Sequence, residues 1–182
     1  MSTLKFSSWQ DLNGNEVANS TYPPGLVLVK SQTIGSGVSS VTVTDAFSST
    51  FDNYRLVMEI GSSTSTGADT TLQLNGATTG YYGSLLRDNY TGTFTGYVRM
   101  NNATLWSIGQ IDTGWGGCSM SYDIHRPYQT NATNIVGNYF GRGYSGFMSG
   151  NGSAAQHTGF VLSQGSGTMT GGTIRVYGYN NG

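Results

Sequence analysis

The dominant period along this chain is two residues. Tyr54, Leu56, Met58 and Ile60 alternate with Arg55, Val57 and Glu59. Successive side chains of an extended strand point to opposite faces, so this run predicts a strand with one buried side. Val41 and Val43 alternate with Ser40, Thr42 and Thr44 in the same way, and residues 118–124 repeat the pattern. Residues 26–34 start mixed and settle into it. Gly35-Ser36-Gly37 stands between that run and the valine run and supplies the positive-φ freedom of a tight reversal, so the two predict a hairpin. Further strand-like runs fall at residues 70–75, 80–87, 97–101, 104–111, 134–140, 156–163 and 173–179. Within 104–111, the pattern assigns Trp106, Ile108 and Gln110 to one face and Leu105, Ser107, Gly109 and Ile111 to the other. Asn75-Gly76 reads as a turn, and the Gly/Ser/Asn-rich stretches 141–153 and 165–172 read as connections. The sum is about ten short strands without a convincing helical period, which predicts an antiparallel two-sheet sandwich with Greek-key or jelly-roll wiring.

Residues 1–24 break this rhythm. Leu4, Phe6, Trp9, Leu12 and Val17 are separated by polar residues, and Pro23-Pro24 closes the segment. Paired prolines favour extended backbone and stop a preceding element from running on into a sheet. The segment therefore reads as an arm outside a domain of residues 25–182. Asn13-Gly14 marks a turn, which predicts a small hairpin or an extended docking strand. Leu4, Phe6, Trp9 and Leu12 have little core of their own to enter, so the arm is expected to bury them on a neighbour.

Composition sharpens this picture. Only 9% of the residues are charged, and the chain is rich in Gly, Ser, Thr and Asn. That mixture also occurs in disordered chains, but those are poor in aromatics, and this chain has twelve Tyr, seven Phe and three Trp. The net charge of −1 and the scattered eight basic residues argue against nucleic-acid binding. No apolar run reaches the roughly 20 residues of a membrane span, and the N-terminus shows no signal-peptide pattern. Cys118 is the only cysteine, so it reads as a small buried hydrophobe.

The inventory of reactive groups is thin. His125, His157 and Cys118 lack the spacing of a metal site, and no nucleophile elbow, phosphate loop or dinucleotide fingerprint stands in context. The nine acidic residues are dispersed. Asp45 and Asp52 fit turn caps better than a calcium loop, because two Phe interrupt the donor pattern between them. No catalytic residue, metal or cofactor is assigned. The constellation that stands out is aromatic: Tyr81, Tyr82, Tyr90, Tyr97, Trp106 and Trp115 sit among Asn, Thr, Ser and Gly, a mixture suited to holding glycan or protein. Tyr81, Tyr82, Tyr90, Trp106 and Trp115 are taken as an exposed surface. Burial in the core or at a subunit interface is the competing reading.

The succession of LVLVKSQTIG, VSSVTVTDAFSSTFDNYRLVM, GYYGSLL and GGTIRVYGY resembles a family of small jelly-roll domains in tail-fibre and other virion structural proteins of tailed bacteriophages, cyanophages included. The resemblance spans roughly residues 25–182 and carries no catalytic motif. It implies an all-β jelly roll with an N-terminal arm, assembled in the host cytoplasm and carried on the virion. By analogy with tumour-necrosis-factor-like jelly rolls, it also implies a homotrimer with the last strand near the three-fold axis. The expectation is a non-enzymatic virion protein, either capsid decoration or a tail-fibre tip, bound to other virion proteins through residues 1–24. The alternative is a host-glycan-binding receptor protein with glycan hydrolase activity. The chain carries no shaft-like repeat, which favours a knob, a cement unit or a small tip.

Overall fold

The computed structural model describes residues 8–10 and 16–19 by their backbone, and residues 25–89, 96–111, 113, 117–141 and 143–180 with their side chains. Every element in it is a strand. β1 (Ser8–Gln10) and β2 (Glu16–Asn19) pair antiparallel as a ribbon of their own, the hairpin form expected of the arm. The body runs β3 (Gly25–Thr33), β4 (Ser40–Val43), β5 (Asn53–Ser63), β6 (Ala68–Leu74), β7 (Tyr81–Asn89) and β8 (Gly96–Ala103). It continues with β9 (Trp106–Ile111), β10 (Cys118–His125), β11 (Ala132–Gly141), β12 (Tyr144–Ala154), β13 (Phe160–Gln164) and β14 (Met169–Asn180). One sheet has eight strands in the order β3-β14-β5-β10-β11-β12-β7-β8, and the other has four, β4-β13-β6-β9.

Setting aside β7, β8, β11 and β12, the remaining strands pair outermost with outermost. β3 pairs with β14, β4 with β13, β5 with β10 and β6 with β9, all antiparallel. Successive rungs of this ribbon fall in alternate sheets, which is jelly-roll wiring. The two inserted hairpins, β7–β8 and β11–β12, widen only the larger sheet.

The period-2 runs decide what goes inside. Tyr54, Leu56, Met58 and Ile60 of β5, Met120, Tyr122 and Ile124 of β10, and Ile174 and Val176 of β14 are buried against Val41, Val43, Leu72, Leu74, Phe160 and Leu162 of the small sheet. Phe47 closes one end, edge-on to Tyr54 at 4.9 Å and stacked on Phe160 at 5.9 Å. Cys118 is buried, as expected of a small hydrophobe.

Three expectations need correction. Residues 26–34 and 40–44 do not form a hairpin: β3 pairs with β14 in one sheet and β4 with β13 in the other. Residues 34–39 are a crossing between sheets, with Ile34 buried in the core and Val38 bridged to Met169. Residues 141–153 are not a connection, because most of them belong to β12. Glycine in that strand makes room for rings from neighbouring elements: Gly146 faces Tyr139, and Gly150 and Gly152 lie against Trp106. In β9, Thr71 pairs with Ser107 and Thr70 with Gly109, so Ile108 is a bulge. A bulge inserts one residue and resets the alternation. Trp106, Ile108 and Ile111 are therefore all fully buried.

Strand direction gives the body two distinct ends. Gly25, where the arm joins, shares its end with the loops 44–52, 126–131 and 155–159. These are tied together by Ala46 N–H to Thr158 O at 2.8 Å, Arg126 N–H to Asp52 O at 2.8 Å and His157 N–H to Pro127 O at 2.8 Å. The strand ends joined by residues 90–95 and 112–117 stand at the opposite end.

Candidate functional site

The larger sheet turns one face to the core and leaves the other open. Register defines rows of side chains across that open face. One row runs Tyr97, Leu86, Phe147, Asn138, Ser121, Val57, Arg175 and Ser31, from β8 to β3. The adjacent row runs Asp88, Ser145, Phe140, Ser119 and Glu59. Phe140 is 68% exposed, Tyr97 63%, Phe147 49% and Leu86 48%. Phe140, Phe147, Leu86 and Val57 wall a groove of about 620 Å³, whose polar lining includes Ser119, Ser121, Asn138, Ser145 and Asp88. Gly146 has no side chain at the groove floor, so Met120 and the ring of Tyr139 are reached from it. Isolated exposed apolar residues are ordinary, but a contiguous group with a concave shape marks an interaction surface.

The arm end of the same face is built differently. Leu26 and Leu28 are exposed on the edge strand β3, opposite Tyr179 and Tyr177. Beside them Arg55 donates to Asp123 through two bonds, at 2.9 and 2.8 Å, and Tyr179 O–H donates to Asp123 at 2.6 Å. The Arg55 guanidinium also lies 5.8 Å from the centre of the Tyr179 ring. Burial pushes the Asp123 carboxyl up, but the hydrogen bonds from Arg55 and Tyr179 outweigh it and hold the group below the usual carboxylate range. His125 and Asn53 approach at 3.2 Å in the next row.

Arg87 points through the sheet instead of along its open face. It reaches Asp69 of the small sheet at 2.8 Å, where Ser107 and Gln110 also donate to the carboxylate, each at 3.2 Å. This network ties the widened part of the large sheet to β6 and β9. A second, smaller groove of about 390 Å³ lies among the arm-end loops, lined by Ser48, Asp52, Tyr128, Gln129, Asn131 and Gln156 among others. Among the described residues each groove has one carboxylate in its lining, Asp88 or Asp52. Among the described residues no three of His, Cys, Asp and Glu converge as a metal site would require.

The structure separates the aromatics grouped by the sequence. Tyr82 is exposed, on the open face of β7. Tyr81 and Trp106 are not surface residues: both are fully buried, ring edge to ring face at 4.9 Å. Tyr81 O–H accepts from Leu74 N–H at 2.8 Å, and burial pushes its phenol up to about 12, with the Leu74 bond acting against the shift. The space for the Trp106 ring is left by Gly150 and Gly152, distant in sequence, so its polar sequence neighbours say nothing of its burial. Tyr90, Trp115, Leu4, Phe6 and Leu12 lie outside the described residues, as does the side chain of Trp9. Phe140, Phe147 and Leu86, the residues that shape the groove, were not singled out by the sequence. The available signal was the alternation of Tyr139 inward with Phe140 outward. The chain matches no known family model, no curated protein and no solved structure.

Proposed function

We propose that this protein is a non-enzymatic structural component of a bacteriophage virion, a jelly-roll unit that associates as a homotrimer and is attached to the particle through residues 1–24. The observation that carries the reading is the open face of the large sheet, where Phe140, Phe147, Leu86 and Tyr97 stand in water on a single chain. Such a surface is characteristic of a subunit with a protein neighbour. The virion setting rests on the resemblance of the strand sequences to phage jelly-roll domains. The two-ended body supports it: the arm enters at Gly25, and the segments bearing Tyr90 and Trp115 join strands at the other end.

Two jobs fit this reading. A capsid decoration protein is present in hundreds of copies per particle, and a tail-tip knob in a few trimers. Copy number by quantitative mass spectrometry of purified particles decides between them. In the same experiment, deletion of residues 1–24 is expected to yield folded trimers that remain in the supernatant. Truncated protein incorporated at full occupancy refutes the anchoring role, and saccharide turnover by the purified protein refutes the non-enzymatic one.

A further inference from the structure

We infer that Asn75 is a latent deamidation site, held unreactive by the closed loops at the arm end of the body and released to react when those loops open. The chemistry needs an asparagine followed by a residue whose backbone nitrogen is unhindered, and Asn75-Gly76 supplies it on an exposed turn. The Gly76 nitrogen gives up its proton to solvent and bonds to Asn75 Cγ, the Cγ–Nδ2 bond breaks, and Nδ2 leaves as ammonia. Water then opens the succinimide ring at either carbonyl, leaving aspartate or isoaspartate. No other reactant is required.

In the folded chain both reacting groups are pinned. The carboxamide oxygen accepts from Thr158 N–H at 3.0 Å and Gly159 N–H at 3.1 Å, and Nδ2 donates to Thr158 Oγ1 at 2.8 Å. The peptide that carries the nucleophile is fixed through its carbonyl, which accepts from His157 Nδ1–H at 2.8 Å. His157 is itself fully buried and donates its backbone N–H to Pro127 O, so the loops 126–131 and 155–159 both bear on this turn. Ala77 N–H donates to Leu74 O at 3.2 Å, and Gly76 has a φ of 80° while Asn75 is not at positive φ, which makes residues 74–77 a type II turn. Ring closure brings the Gly76 nitrogen alongside Asn75 Cβ, whereas a ψ of about 120° at this position of the turn directs it away. Reaction therefore waits on the loss of these hydrogen bonds and a rotation of the peptide. Asn151-Gly152 is a comparison inside the same molecule. It lies in β12 with Gly152 buried and Asn151 opposite Asn134 and Tyr82 on the two flanking strands, so it is freed only when the sheet comes apart, whereas Asn75 is freed by local opening. Isoaspartate at position 75 would add a methylene to the backbone between Asn75 N–H, which donates to Gly159 O at 3.0 Å, and the carbonyl held by His157. The two bonds could not then re-form in register, so the change loosens the arm end in one direction only.

The test uses the full-length chain, aged at mildly alkaline pH and mapped by mass spectrometry that separates aspartate from isoaspartate peptides. Asn75 is expected to react roughly a hundredfold or more faster in the urea-unfolded chain than in the folded one, several hydrogen bonds having to break in the latter. Thr158→Val removes the acceptor of Nδ2 at an exposed position and is expected to speed Asn75 about fivefold in the folded protein, the rate effect of one ordinary hydrogen bond, while Asn151 stays slow. Equal rates in the folded and unfolded chains overturn the restraint. So does a faster folded rate, which would mean that the two N–H donors activate the carboxamide instead of holding it. A Thr158→Val rate unchanged from the wild type, or an equal acceleration at Asn151, overturns the local gate. An Asn75 that stays intact even in the unfolded chain removes the site altogether.

Discussion

Replacing Trp106 with alanine, alone and with Gly152→Ala, tests whether glycine in β12 serves to accommodate a ring. Removing a buried Trp ordinarily costs about 3–5 kcal/mol. Here the void faces Gly150 and Gly152, which have no side chains to move into it, so the cavity term is at its largest. Against this, the indole Nε1 is buried without a hydrogen-bond partner, and relieving an unsatisfied donor returns about 1–3 kcal/mol. The net expectation is about 3 kcal/mol. In the native protein a Cβ on Gly152 would sit 3.0 Å from Trp106 Cζ2, 3.2 Å from its Cη2 and 3.4 Å from Leu74 Cδ1, with no backbone atom among these nearest contacts. That crowding costs about 1–3 kcal/mol, partly offset by the 0.5–1 kcal/mol, roughly, that a strand gains when alanine replaces glycine. Once Trp106 is alanine the crowding is gone, and the new methyl fills part of the void. Gly152→Ala should thus destabilise the wild type by about 1 kcal/mol and stabilise the Trp106→Ala protein by a similar amount, a coupling near 2 kcal/mol. Urea unfolding followed by circular dichroism, at one protein concentration for all four proteins, measures it. Equal effects of Gly152→Ala in the two backgrounds, within about 0.5 kcal/mol, would refute the packing argument.

Two further outcomes are expected. Asp123 is held below the usual carboxylate range, so its contribution is complete above the ordinary carboxylate pKa and fades as pH falls through its lowered folded value. Urea midpoints at pH 7 and pH 3 should therefore fall less for Asp123→Asn than for the wild type, by about 1 kcal/mol or less given the partial exposure, and parallel losses would contradict the assignment. Tyr81→Phe removes the acceptor of the Leu74 N–H bond in a fully buried setting and should cost about 1–3 kcal/mol. A midpoint unchanged from the wild type would show that the bond contributes nothing.

The fold class was legible because burial follows alternation, and alternation is local. Residues 54–60 and 118–124 announce their inward faces without reference to anything distant. Pairing is not local in a rolled ribbon: the partner of β3 lies at the far end of the chain, so the glycine turn after Ile34 suggested a hairpin that does not exist. Composition misled in two places for one reason. A strand that accommodates large rings must itself be poor in side chains, so β12 resembled a loop, and Trp106, surrounded in sequence by Thr, Ser and Gly, resembled a surface residue. The groove was illegible because Phe140 and Phe147 become neighbours of Leu86 only when two insertions, separated by β9 and β10, lie side by side.

That adjacency imposes an order on the architecture. Hairpin β11–β12 leans on β10 and holds a place in the sheet by itself, whereas β7–β8 has, among the described residues, no sheet neighbour other than β12. The outer annex is therefore conditional on the inner one, and the reverse does not hold. A lineage trimming this protein would have to shed β7–β8 first, and a pulling force applied at that rim would peel the annex inward while leaving the four-rung ribbon intact.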